Sequence, residues 1–156
     1  MGFSPRKIAS GCGEIKTLPV ALCGGGVLLL DTSTLIDLEQ ELAELRVGPV
    51  RIFLGRNKTQ AVACATVSIG ELACGSDEES VRFFLRRLRK LPLSEPVAYR
   101  AGELDRRLAA AGRRLGENDN WIAATALHYS ATLVYADGDF ARVPGLKRHQ
   151  ISTPPS

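Results

Sequence analysis

Val27-Leu28-Leu29-Leu30-Asp31-Thr32-Ser33 carries four apolar residues straight into a carboxylate and two hydroxyls. A strand with one face in water alternates apolar and polar side chains. An unbroken apolar run therefore predicts a strand buried on both faces, in the middle of a parallel sheet covered by helices. In open sheets of that kind, ligands bind beyond the carboxyl ends of the strands, near the point where strand order reverses. Asp31 stands at such an end.

Downstream, Leu35, Ile36, Leu38, Leu42 and Leu45 recur at near-helical spacing up to Gly48-Pro49, which predicts a first helix capped by Thr32 or Ser33. A polar turn around Asn57-Lys58 leads to residues 61–67, a run of small and β-branched side chains suited to a second buried strand. Ser68-Ile69-Gly70-Glu71 has the spacing of a capping box, so a helix is expected to begin there. Ser76-Asp77-Glu78-Glu79 repeats the signal. The helix it starts would turn Val81, Phe84, Leu85, Leu88 and Leu91 inward and Arg82, Arg86, Arg87, Arg89 and Lys90 outward.

Leu91-Pro92-Leu93 breaks that helix with space for a very short strand, and Ser94 is expected to cap a helix with Val97, Ala101, Leu104 and Leu108 inward. Gly116-Glu117-Asn118-Asp119 opens another, whose small residues Ala123 and Ala126 permit close approach to a sheet. Residues 131–136 read as a further strand closed by Asp137-Gly138-Asp139, and residues 148–152 as an edge strand. Alternating strands and helices imply right-handed crossovers, hence an α/β fold with a parallel sheet flanked by helices on both faces.

Composition bounds the rest. A chain of 156 residues suits one domain, able to bury roughly two thirds of its unfolded surface. Apolar residues at 45% and charged residues at 24% are ordinary for a folded soluble protein, and a net charge of +3 is too mild to argue nucleic-acid binding by itself. Cys12, Cys23, Cys64 and Cys74 have no CxxC spacing, so a zinc site is not expected; all four read as reduced, with Cys64 and Cys74 as small structural thiols. Residues 1–26 are rich in Gly, Ser and Pro and read as a flexible N-terminal extension, residues 27–152 as the domain, and residues 153–156 as a tail. No run reaches the roughly 18 apolar residues that span a bilayer, so a cytoplasmic protein without membrane association is expected.

The parallel topology brings Asp31, Glu71, Asp119 and Asp137 to one sheet edge, with Asp139 beside the last. Each alone has an ordinary account. Asp31 can start a helix, Glu71 can complete a capping box, and Asp119 can meet the positive end of a helix dipole for about 0.3–1 kcal/mol. Asp137 and Asp139 can be turn residues. Those accounts do not explain four acids at one edge. Clustered carboxylates repel one another, and the usual remedy is a hard divalent cation held by oxygen ligands, Mg2+ or Mn2+. Such ions activate water and stabilise a leaving oxygen when a phosphodiester is cut.

The pieces LLLDTSTLIDLE, TVSIGELACG, GENDNWIAATAL and TLVYADGDFARVPGL resemble, in order, the motifs of the PIN domain family, and within it the VapC-type toxins of bacterial toxin–antitoxin pairs. The resemblance runs from Val27 to about Ile151. It implies a metal-dependent endoribonuclease with Asp31, Glu71, Asp119 and Asp137 as catalytic metal ligands, and Asp139 sharing or replacing the fourth. It further implies an RNA substrate, a cognate antitoxin and a homodimer. Thr32, Ser33 and Asn118 are supporting candidates, and Arg82, Arg86 and Arg87 are candidates for RNA or partner contact. Tyr135 departs from the family, which often has Thr there. The alternatives are an RNA-processing PIN nuclease without an antitoxin, and a non-catalytic binding module of the same fold. A further alternative is a phosphoryl-transfer protein of receiver or haloacid-dehalogenase type, the latter disfavoured by the lack of an Asp-x-Asp pair on the first strand.

Overall fold

In the computed structural model, residues 26–152 are described. The expectations for the N-terminal extension, its two cysteines and the C-terminal tail fall outside them. Strand β1 (Val27–Leu30) is followed by α1 (Thr32–Ala43), α2 (Pro49–Arg56), β2 (Ala61–Ala65), α3 (Thr66–Ala73) and α4 (Glu78–Leu85). Then come β3 (Arg89–Leu91), α5 (Glu95–Ala110), α6 (Glu117–His128), β4 (Thr132–Tyr135), a 3-10 turn (Phe140–Arg142) and β5 (Arg148–Gln150). The five strands are all parallel in the order β3-β2-β1-β4-β5, with Leu28 opposite both Val62 and Thr132.

The leucines of β1 divide between two cores. Leu28 and Leu30 pack with Leu35, Leu38, Val50, Leu54 and Phe84 on one face, and Leu29 packs with Leu104, Leu108, Ile122 and Ala126 on the other. Burial on both faces is what the unbroken apolar run predicts. From β1 the chain proceeds outward to β2 and β3, then returns to β4 on the opposite side of β1. The order therefore reverses between β1 and β4, where the Asp31 amide donates to the Val134 carbonyl at 3.0 Å. Both sheet edges carry basic exposed residues, Arg89 and Lys90 on β3 and Arg148 on β5, which discourage pairing with further strands.

Several local expectations are corrected. Asp31, not Thr32 or Ser33, caps α1, its carboxylate accepting from the Thr34 amide. Helix α2 is an addition, since Gly48-Pro49 starts a helix rather than merely ending one. Gly48 brings no side chain to cap α2; instead the buried Glu41 carboxylate of α1 accepts from the Val50 and Arg51 amides at 3.0 and 2.9 Å. A helix N-terminus attracts negative charge, which satisfies an acid that would otherwise be costly to bury. A Cβ at residue 48 would collide with that carboxyl group, so a larger residue there would displace the cap.

Helix α3 begins at Thr66, not at a Ser68 capping box, and α4 is capped by Asp77 rather than Ser76. Helix α4 also ends at Leu85, well before the expected break at Leu91. Leu88 is then buried in a turn and Leu91 in a strand, so their apparent helical period with Phe84 is a coincidence of three short elements. Cys64 is buried in β2 as expected, whereas Cys74 is exposed. None of the helices among the described residues is long and apolar enough to cross a membrane.

Candidate active site

Five acids from four chain segments line one open cavity of about 640 Å3 at the carboxyl ends of the strands. Asp31 follows β1, Glu71 lies within α3, Asp119 is in the first turn of α6, and Asp137 and Asp139 follow β4. Thr32, Ser33 and Asn118 line it too, as does Glu117, which motif reading passed over. Glu117 lies two residues before Asp119 and only its place at the start of α6 signals it. Among the described residues, six carboxylates thus face one cationic lining residue, Arg114.

Asp31 is 2% exposed. Burial pushes its carboxyl up to about 7, against the hydrogen bonds from Thr34 and Ser33, and the charge of Asp119 adds to the rise. Ser33 Oγ lies 3.0 and 2.9 Å from the two Asp31 oxygens and also accepts from the Asp137 amide at 3.4 Å. One hydroxyl therefore spans the switch point between β1 and β4. Asp119 is half-buried and its carboxyl is likewise raised, first by burial and then by Glu71, Asp137 and Asp139. These acids feel one another.

Glu71 is held across 39 residues of sequence: Thr32 Oγ1 donates to its Oε1 at 2.7 Å and lies 2.9 Å from the buried Ser68 Oγ. Sequence reading gave Ser68 to a helix cap; its hydroxyl instead belongs to this pair. The loop after β4 turns at Gly138, where φ is +122° and a Cβ would press on the Phe140 ring at 3.0 Å. Glycine there lets Asp137 and Asp139 both reach the cavity. Asp139 pairs with Arg142 at 3.2 Å, while Asp137 makes no ion pair among the described residues. Tyr135 is buried against Phe140, with ring centroids 5.2 Å apart, and does not line the cavity.

The arginine candidates are elsewhere. Arg82 pairs with Glu78 at 2.7 Å, Arg86 lies 4.0 Å from the Phe83 ring centroid, and Arg87 is exposed in the turn entering β3. That turn is at the amino end of a parallel strand, hence at the sheet edge away from the acids. None of the three lines the cavity.

The donor set suits a hard divalent cation, since it is all oxygen and two of its members carry raised proton affinity that a cation would relieve. Among the described residues, no three His, Cys, Asp or Glu side chains draw together into a ready metal-binding group. The acids stand on the walls of an open cavity instead.

The chain is similar to several known proteins. The chain is 29% identical over 129 residues to Ribonuclease VapC5 of Mycobacterium tuberculosis, covering 79% of this chain and 92% of that protein. It is similar in structure to VapBC2 from Rickettsia felis, solved bound to a DNA fragment from their promoter, at a TM-score of 0.62 and 26% identity over 80% of this chain and 98% of that one. VapBC-5 from Mycobacterium tuberculosis, a member of the VapBC family of toxin-antitoxin systems, aligns at a TM-score of 0.53 and 26% identity over 82% and 99%. The family model for the PIN domain matches residues 28–146, from the first buried strand to the turn before β5. With the acids in order around the switch point of its parallel sheet, the chain belongs to the PIN domain family.

Proposed function

We propose that the protein is a divalent-metal-dependent endoribonuclease, the toxin of a toxin–antitoxin pair, with residues 27–152 as its nuclease domain. The observation that carries this reading is the gathering of Asp31, Glu71, Asp119 and Asp137 on one cavity from four separate segments. Asp31, Asp119 and Asp137 would hold the cation, with Glu71 beside them and Asp139 secondary because Arg142 engages it. When bound, Mg2+ or Mn2+ supplies Lewis-acid stabilisation of the phosphate and lowers the pKa of water. The chain's own part is orientation. Ser33 and Thr34 fix Asp31, Thr32 fixes Glu71, and the first turn of α6 presents Asp119.

Purified full chain is expected to cut single-stranded RNA with Mg2+ or Mn2+ and to stop in excess chelator. Equal cutting in chelator would remove the assigned site; no cutting of any RNA with either ion would leave only the binding-module alternative.

The antitoxin reading is supported by the likeness to VapBC proteins and by exposed apolar side chains at Leu45, Val47 and Ile52 around the α1–α2 turn and Phe83 on α4. An amphipathic segment laid over such residues would bury them. A basic side chain of that segment could then pair with the acids. Self-pairing and a cytoplasmic location belong to the same reading. Expression without the neighbouring gene should arrest growth and co-expression should relieve it. Soluble, active nuclease that arrests growth in neither case points to RNA processing instead.

A further inference from the structure

Beside the acidic cavity, a cleft of about 410 Å3 opens between α5 and α6 and shares Arg114, Leu115 and Glu117 with it. Ala98, Ala101 and Gly102 of α5 keep one wall low, and Trp121 of α6 lines the other. The volume falls in the range of small-molecule sites. Three features suit it to part of a polynucleotide.

The first is the cation at the junction. Asp105 takes the Nε and Nη2 of Arg114 in a bidentate pair, each at 2.9 Å, which fixes the guanidinium plane and leaves Nη1 outside the fork. A pinned, exposed guanidinium is well suited to a phosphate, and among the described residues this is the one cation lining a cavity of six acids that would otherwise repel RNA. The second is aromatic surface. Trp121 is only partly buried, and bases stack on aromatic side chains irrespective of sequence. The third is an orphan acceptor. Asn120, 7% exposed, donates its amide to the Ala101 carbonyl at 2.9 Å, but its Oδ1 has no hydrogen-bond partner among the described residues. A buried acceptor left so is costly, and a local shift that let an N–H donor in the cleft reach it would lower that cost.

We infer that this cleft is a nucleotide subsite of the same active centre, an inference that rests on the nuclease reading. Arg114 takes the phosphate adjoining the one that is cut, and the cleft receives the attached base beside Trp121.

Trp121 is the only tryptophan of the chain, so its emission reports on the cleft. The full-length protein in chelator at low salt would be titrated with a short oligoribonucleotide, following Trp emission and, separately, anisotropy of a labelled strand. A saturable emission change is expected. Arg114→Ala should weaken binding about tenfold, the scale of one charge-assisted hydrogen bond. Gly102→Leu should remove the emission change and weaken binding about tenfold by filling the cleft. It should fold, because a Cβ at Gly102 meets only Arg106 Nη1 at 3.7 Å and leucine favours a helix. Strand binding without an emission change, or wild-type binding by both variants, overturns the subsite; a cleft reserved for a protein partner would behave in that way. If RNA is cut but both variants bind and cut normally, the nuclease stands and the subsite falls. If no metal supports cutting, yet both variants lose binding and its emission change, the cleft binds nucleotide but its assignment to an active centre falls with the nuclease reading.

Discussion

Asp31→Asn is expected to lower RNA cleavage by ~10³-fold or more, the scale of a single electrostatic group in catalysis, while making the protein more stable at neutral pH. The second half follows from burial. Desolvation raises the Asp31 carboxyl from 3.8 to about 7, so the fold favours its protonated form. Stability from this group is complete below about pH 3.8 and is lost as pH rises through about 7, where the folded protein must carry a buried charge. Each pKa unit corresponds to about 1.4 kcal/mol, so a gain on the order of 2 kcal/mol at pH 8 is a conservative expectation for the neutral variant. Asparagine caps helices as well as aspartate, and its side-chain oxygen still serves the Thr34 amide. Denaturation midpoints of both proteins in chelator from pH 4 to 8 should converge at low pH and separate toward pH 8. Parallel curves would mean that Asp31 is charged and well solvated in the fold, and retained cleavage would remove it from the site.

Glu71→Gln is expected to lower cleavage ~10²-fold with stability unchanged within about 0.5 kcal/mol. The amide keeps an oxygen for Thr32 Oγ1 and removes only the charge. That charge is one reason the Asp119 carboxyl is raised, second only to burial, so the proton affinity of Asp119 should fall in the variant. Carbon-detected titration of the Asp119 carboxyl would read this directly. No helix cap is at stake, because α3 starts five residues before Glu71. Full activity with a lowered melting temperature would assign Glu71 to structure alone.

Some of this was written locally in the chain. The run from Val27 to Leu30 specified a strand buried on both faces, because burial on two sides needs apolar residues without alternation. The alternation of strands and helices then implied parallel pairing, and parallel pairing placed Asp31, Glu71, Asp119, Asp137 and Asp139 at one edge. Other features depend on partners far along the chain, to which local periodicity is blind. Glu41 caps α2 from another helix, so neither helix signals it alone. Leu88 and Leu91 keep helical spacing with Phe84, yet the parallel pairing of β3 with β2 claims Leu91 for the sheet. Thr32 meets Glu71 only because β1 and β2 are adjacent and the helices after them start at the same edge. The capping-box spacing at Ser68 promised a local bond, and tertiary packing turned that hydroxyl toward Thr32. The sequence alone determined which residue types reach the active edge; the tertiary structure decided which hydroxyl holds which acid, and put Arg82, Arg86 and Arg87 away from the cavity, because those relations are set by packing between distant segments.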